Sequence, residues 1–193
     1  MSDTVKLAAM DELILLVEPM IPALRRYARA LLRDRDLADE LVQDCLERVI
    51  SRWEQRRDVN DTRQWVFAIL HNLALHRMRQ QSRRGLHVAI DDVDEAEMST
   101  PAPQEDRIRH HELMRALDSL PEEQRSVLLL VAVEDFSYAE AANALDIPAG
   151  TVMSRLSRAR QRLHRMLDGC GTGAPSSRST ANATERPELW RLK

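Results

Sequence analysis

An all-α protein of two small helical domains is what this sequence predicts, and three observations carry the prediction. Apolar residues recur at helical spacing over several long stretches. Only 5 glycines and 4% aromatic residues among 193 leave little of the alternating, turn-rich pattern that sheets require. Between residues 86 and 104 the apolar period stops at Asp91, Asp92, Asp94, Glu95 and Glu97, followed by Pro101 and Pro103, a run that cannot build a core and reads as a flexible acidic linker. The expected division is therefore 10–85, a linker over 86–104, 105–168, and a tail over 169–193. The tail is rich in Gly, Ser, Thr and Ala, and disorder is expected there despite Leu189, Trp190 and Leu192.

In chain order, Leu13, Leu16, Val17, Met20, Ile21, Leu24, Ala28 and Leu31 hold a helical period from Asp11 to Leu32, which Pro19 and Pro22 must interrupt. Pro22 is expected to open a second helix and Asp36 to cap a third, Leu37 to Ser51. That third helix has an apolar side, Leu41, Val42, Cys45, Leu46 and Val49, and an acidic, amide-bearing side, Glu40, Gln43, Asp44 and Glu47. A polar loop with Trp53 leads to a helix that Asp61 or Thr62 can cap, with Val66, Ile69, Leu70 and Leu73 inward and Trp65 and Phe67 near its start. It ends in Arg77, Arg79, Arg83 and Arg84. Aromatic side chains beside a basic helix end suit single-stranded DNA, whose bases stack while cations follow phosphates; burial of the aromatics in the core is the plain alternative.

The second domain is expected to begin with a helix from Glu105 to Leu117 with Ile108, Leu113, Met114 and Leu117 inward. Pro121 opens the next, with Glu122 and Glu123 in its first turn and Val127 to Val131 as a central apolar run. Ser137 and Glu140 form a capping box for a short helix whose apolar positions, Ala141, Ala142 and Leu145, are small enough for close crossing. Asp146 to Gly150 makes a tight turn. The last helix then carries Val152, Leu156, Ala159 and Leu163 on one face, with Arg155, Arg158, Arg162 and Arg165 beside them. Gly150, Thr151, Met153, Ser154, Arg155, Ser157 and Arg158 lie at its leading end, the placement a recognition helix needs in a major groove. A solvated arginine face on an ordinary amphipathic helix is the competing reading.

Net charge is −3, so any nucleic-acid contact must be local rather than a property of the whole chain. Cys45 and Cys170 stand apart from each other, and six histidines form no ligand spacing with them. These features imply a reducing cytoplasm, no metal and no cofactor. The apolar run near the N-terminus is too short and too acidic for a signal peptide or membrane insertion. No nucleophile–base pair or phosphate loop can be placed, so an enzyme is not expected.

Four stretches also carry a resemblance. GTVMSRLSRARQRL resembles the GTVKSRLxRAR signature of the last domain of bacterial extracytoplasmic-function sigma factors, with Met153 where that family usually has Lys or Arg. ADELVQDCLERV is similar to the family's first-domain helix that grips the polymerase clamp. RQWVFAILHNLALHRMRQQSRR resembles FRAWLFxIARNLAxDxxRRxxR, with Trp65 and Asn72 matching and His76 in place of Asp. LDSLPEEQRSVLLLV resembles LxxLPxxxRxVxxL.

The resemblance implies that Glu40, Gln43, Asp44 and Glu47 bind core RNA polymerase, whose clamp and flap would both be contacted. It implies that Trp65, Asn72, Arg77, Arg79, Arg83 and Arg84 serve the minus-ten element and its non-template strand, and that the last helix reads minus-thirty-five duplex. The linker would thread the polymerase, and an anti-sigma factor would control the chain. A stand-alone helix-turn-helix repressor or activator, and a sigma-like decoy for an anti-sigma factor, are the rivals. In the free protein the two domains are expected to move independently.

Overall fold

The structure is a computed structural model, and it describes residues 2–56, 61–83 and 112–170. Expectations for the 86–104 linker, the C-terminal tail and Arg84 lie outside the described residues. No strand occurs among those described.

Helix α1, Ser2–Val17, runs into a 3-10 turn, Glu18–Met20, that holds Pro19. Helix α2, Ile21–Leu32, then takes Pro22 in its first turn, where the missing N–H has no helical partner to lose. Arg33 ends α2 in the left-handed region, at φ 59°. The chain therefore re-enters a helix earlier than the sequence suggested. Asp34, not Asp36, caps α3, Arg35–Ser51, by accepting from the Leu37 N–H at 2.9 Å. Asp36 falls inside the first turn, where its charge still favours the helix N-terminus. Helix α4 spans Thr62–Arg83.

Beyond residue 111 come α5 (112–118), which turns Ala116 inward and leaves the expected core residues Leu113 and Met114 exposed, and α6, Glu122–Leu128. Helix α6 widens into one π turn, Leu129–Val133, inside the expected apolar run. The Glu134 N–H reaches back to Leu129 O at 3.0 Å, Asp135 turns left-handed at φ 54°, and the Phe136 N–H bonds Leu130 O at 2.9 Å. This turn leaves Glu134 and Phe136 buried, each 3% exposed. Helices α7, Tyr138–Leu145, and α8, Ala149–Cys170, complete the described chain.

The two helical regions meet. Tyr27, Leu24, Leu41, Phe67 and Leu70 are the large buried side chains of the first, and Val127, Leu130, Val152 and Leu156 of the second, all in one continuous core. Phe67 and Phe136 join them edge to face at 5.0 Å. Helix α4 lies against α2 and α3 on one side and against α7 on the other. The independence expected from residues 86–104 is thus not the arrangement seen here. Helix periodicity revealed each region's inward face but not that α4 would be covered twice.

Polar groups are buried in the first region as well. The Cys45 thiol lies 3.7 Å from Val66 O, and burial pushes it up to about 12, which makes it a core thiol without reactivity. The Tyr27 hydroxyl lies 3.1 Å from His71 Nδ1. Burial, helped by the nearby Arg155 cation, lowers His71 from 6.5 to about 4. An unfolded chain would take up this proton first as pH falls. The associated stability is present above about pH 6.5 and lost toward pH 4, amounting by pH 5 to on the order of 2 kcal/mol. Urea unfolding at pH 7.5 and pH 5 should show that loss in the wild type and much less of it in His71→Gln. Equal pH slopes in the two proteins would contradict the burial of a neutral imidazole.

Candidate nucleic-acid interface and acidic face

Local chemistry builds the helix-turn-helix. Ser137 Oγ accepts from the Glu140 N–H at 3.2 Å, while Glu140 Oε2 accepts from the Ser137 N–H at 2.7 Å. Those bonds hold Glu140 below the usual carboxylate range. Asp146 ends α7 in the left-handed region at φ 52°, and Ala141, Ala142 and Ala144 are buried beneath the crossing helix. Helix α8 buries Val152, Leu156 and Ala159. Its opposite side presents Met153, 55% exposed, with Gly150, Ser154, Ser157 and Arg158, all exposed, and Thr151 half-buried. Arg155 differs from Arg158 in being held by Glu123 of α6, at 2.9 Å.

The expected minus-ten residues do not form one continuous surface. Asn72, Arg79 and Arg83 are exposed on α4, whereas Arg77 is folded onto α3 with its guanidinium 3.1 Å from Glu40 and 3.6 Å from Asp44. Trp65 is half-buried at the edge of a cleft of about 320 Å³. Gln55, Arg56, Gln64 and Ala68 also line it, together with Asn143 of α7. Trp53 is buried behind Trp65, with ring centroids 6.3 Å apart, and the Arg56 guanidinium stacks 3.9 Å above Trp53. Phe67 is entirely in the core and offers nothing to a ligand. Sequence reasoning passed over Arg56 and Gln64, although the interleaving of Trp and Arg in SRWEQRR was a signal for the first of them.

Glu40, Gln43, Asp44 and Glu47 all lie exposed on α3, outside the Leu41, Cys45 and Val49 stripe. Beside them runs a groove of about 540 Å³ between α2 and α3. Asp36, Asp39, Glu40 and Gln43 rim it together with Arg25, which pairs with Asp39 at 3.7 Å, and Ile21, Val42 and Leu46 supply apolar lining. Such a groove suits a basic amphipathic helix better than a phosphate backbone. Among the described residues, no His, Cys, Asp and Glu cluster could hold a metal, and no helix is long and apolar enough to cross a membrane.

Residues 17–71 match the family described as the Sigma2 domain of PhyR, and residues 110–163 match Sigma-70, region 4. The chain is 34% identical over 150 residues to ECF RNA polymerase sigma factor EcfG of Rhodopseudomonas palustris, covering 76% of this chain and 80% of that one. It is 32% identical to ECF RNA polymerase sigma factor SigM of Mycobacterium tuberculosis over 78% of this chain and 74% of the relative. Among solved structures, sigma factor RpoE of Bartonella quintana, in complex with the anti-sigma factor NepR, aligns with a TM-score of 0.68 and 30% identity. The alignment covers 82% of this chain and 96% of RpoE.

The capping box is the most local determinant of the helix-turn-helix. Ser137→Ala should lower stability by about 1 kcal/mol, seen as a reduced urea midpoint with unchanged slope. A Ser137→Asp variant, which can still accept the Glu140 N–H, should recover most of it.

Proposed function

The chain belongs to the ECF RNA polymerase sigma factors, and from that premise we propose how its surfaces divide promoter recognition between them. As such a factor it directs core polymerase to specific promoters and initiates transcription. The observation that carries the division is the outward face of α8, where Met153, Ser154, Ser157 and Arg158 are exposed opposite a fully buried apolar stripe. Domain 105–168 would read the minus-thirty-five element there, with Arg158 reaching base edges and Met153 providing an apolar contact where the family has a cation. Domain 10–85 would hold the minus-ten element. In this reading the Trp65 cleft accepts a base from the non-template strand, while Asn72, Arg79, Arg83 and Arg84 follow the backbone. Arg77 supports the acidic face from behind as well.

The exposed acids of α3 and the groove beside them are the proposed seat of the polymerase clamp, and the flap would meet domain 105–168. Residues 86–104 would link the two domains through the polymerase. The protein lends sequence specificity to an enzyme and performs no catalysis itself, acting in the cytoplasm where the polymerase is. Control by an anti-sigma factor is supported by the likeness to RpoE held by NepR. The match of residues 17–71 to the PhyR family supports a NepR-like inhibitor in particular, since a PhyR is itself described as an anti-anti-sigma factor complexed with NepR.

Asp44→Lys with Glu47→Lys tests the clamp assignment. Both positions lie outside the buried stripe, so the helix should remain folded while core-polymerase affinity and run-off transcription collapse. A repressor would keep or strengthen its DNA binding under the same added positive charge and would be indifferent to polymerase. Arg158→Ala should lose roughly 1–3 kcal/mol of discrimination between cognate and scrambled minus-thirty-five duplex. Equal losses on both sequences would exclude it as a base reader.

A further inference from the structure

The turn that follows the π segment of α6 reaches into the other helical region. Arg26 of α2 donates through Nε and Nη2 to both carboxylate oxygens of Glu134, at 2.9 and 2.8 Å. Glu134 is almost wholly buried, whereas the Arg26 side chain is 53% exposed. Arg63 of α4 donates to the Glu134 carbonyl and lies 4.4 Å over the Phe136 ring. Phe136 meets Phe67 on its other side. Flanking bonds join Asn143 Nδ2 to Gln64 Oε1 at 3.0 Å and Arg33 to Asp118 at 2.9 Å. All of these contacts link residues of α2–α4 to residues of α5–α7.

We propose that this Arg26–Glu134–Phe136 contact is an autoinhibitory latch that keeps the free chain closed and unable to engage both halves of a promoter. Three observations carry it. Asn143 of the helix-turn-helix forms part of the wall of the Trp65 cleft, so the second region covers a surface assigned above to the first region's DNA. Glu122, at the start of α6, lies within electrostatic reach of Arg79, a cation of the first region's assigned DNA face, so a carboxylate of the second region competes there with a phosphate. Finally, a minus-ten and a minus-thirty-five element are separated by about 85 Å of duplex, counted at 3.4 Å per step, while the closed regions are in hydrogen-bond contact.

The composition of the latch makes it releasable. Arg26 is already half in solvent and the Glu134 carboxylate regains water when the seam opens, so opening costs less than separating an equal apolar area. Removing Arg26 alone, by contrast, strands Glu134 in a buried position. The latch itself is independent of the promoter reading, but the masking of DNA surfaces rests on it.

Small-angle scattering on the full chain can read the latch without any DNA. Arg26→Glu places a carboxylate against Glu134 on a half-exposed surface of α2, so helicity by circular dichroism should be unchanged while the radius of gyration and maximum dimension increase. Arg26→Glu combined with Glu134→Arg restores opposite charges in reverse order and should contract the chain again. Unchanged dimensions in Arg26→Glu, or an expanded wild type, would overturn the latch and leave the sigma-factor reading intact. The open variant should also bind a minus-ten non-template single strand up to roughly tenfold more tightly if nine-tenths of wild-type molecules are closed. The substitution removes a cation, so simple charge attraction predicts the reverse. Expansion without tighter binding would overturn the masking of the Trp65 cleft while retaining the latch.

Discussion

Helix α4 is the constraint on which the rest of this structure depends, because it must be covered on two sides. Val66, Phe67, Leu70, Leu73 and Ala74 are all buried, a spread too wide for one partner helix. Helices α2 and α3 take one side and α7 takes another. Once α4 is sandwiched, its remaining exposed positions are limited, and they are where Asn72, Arg79 and Arg83 stand. The same helix therefore fixes the first region's core, the seam with the second region, and the placement of the exposed Arg79 and Arg83 cations.

Much of this was legible in sequence because its causes are local. The Ser137 and Glu140 capping box, the apolar stripe of α8 and the two faces of α3 depend on spacing within a single helix, and each appears as expected. The Asp36 cap failed by two residues, because a left-handed Arg33 closed α2 sharply and let Asp34 begin the next helix. A left-handed arginine leaves no composition signal of the kind glycine gives. The π turn at Leu129–Val133 was equally hidden, since an unbroken apolar run reads the same whether one extra residue is inserted or not.

The candidate site was legible as a set of residues but not as a set of pairs. Arg77 and Arg155 belong to basic stripes by sequence, yet each is engaged by acids from another helix: Glu40 and Asp44 for the first, Glu123 for the second. Such pairing joins positions more than thirty residues apart, which no periodicity encodes. It also alters what net charge means for this molecule. A value of −3 here includes cations already held by neighbouring acids, so it does not count the charge that the surface leaves free.

Two kinds of joint coexist in the chain, and they should respond differently to solvent. Between α3 and α4 the contact is made by Leu41, Cys45, Val66 and Leu70, so parting those helices exposes apolar surface with no new hydration to offset it. At the seam between the regions, the Phe67–Phe136 contact is surrounded by Arg26, Arg63, Glu134, Gln64 and Asn143, groups that water can satisfy once they separate. Opening at the seam is therefore cheaper than unfolding within either region. A local transition of this kind lies below global unfolding in free energy, and it can be biased by binding energies that would be far too small to unfold a helix bundle. The polar bonds that flank the shared apolar core thus make the seam specific enough to close in a single register.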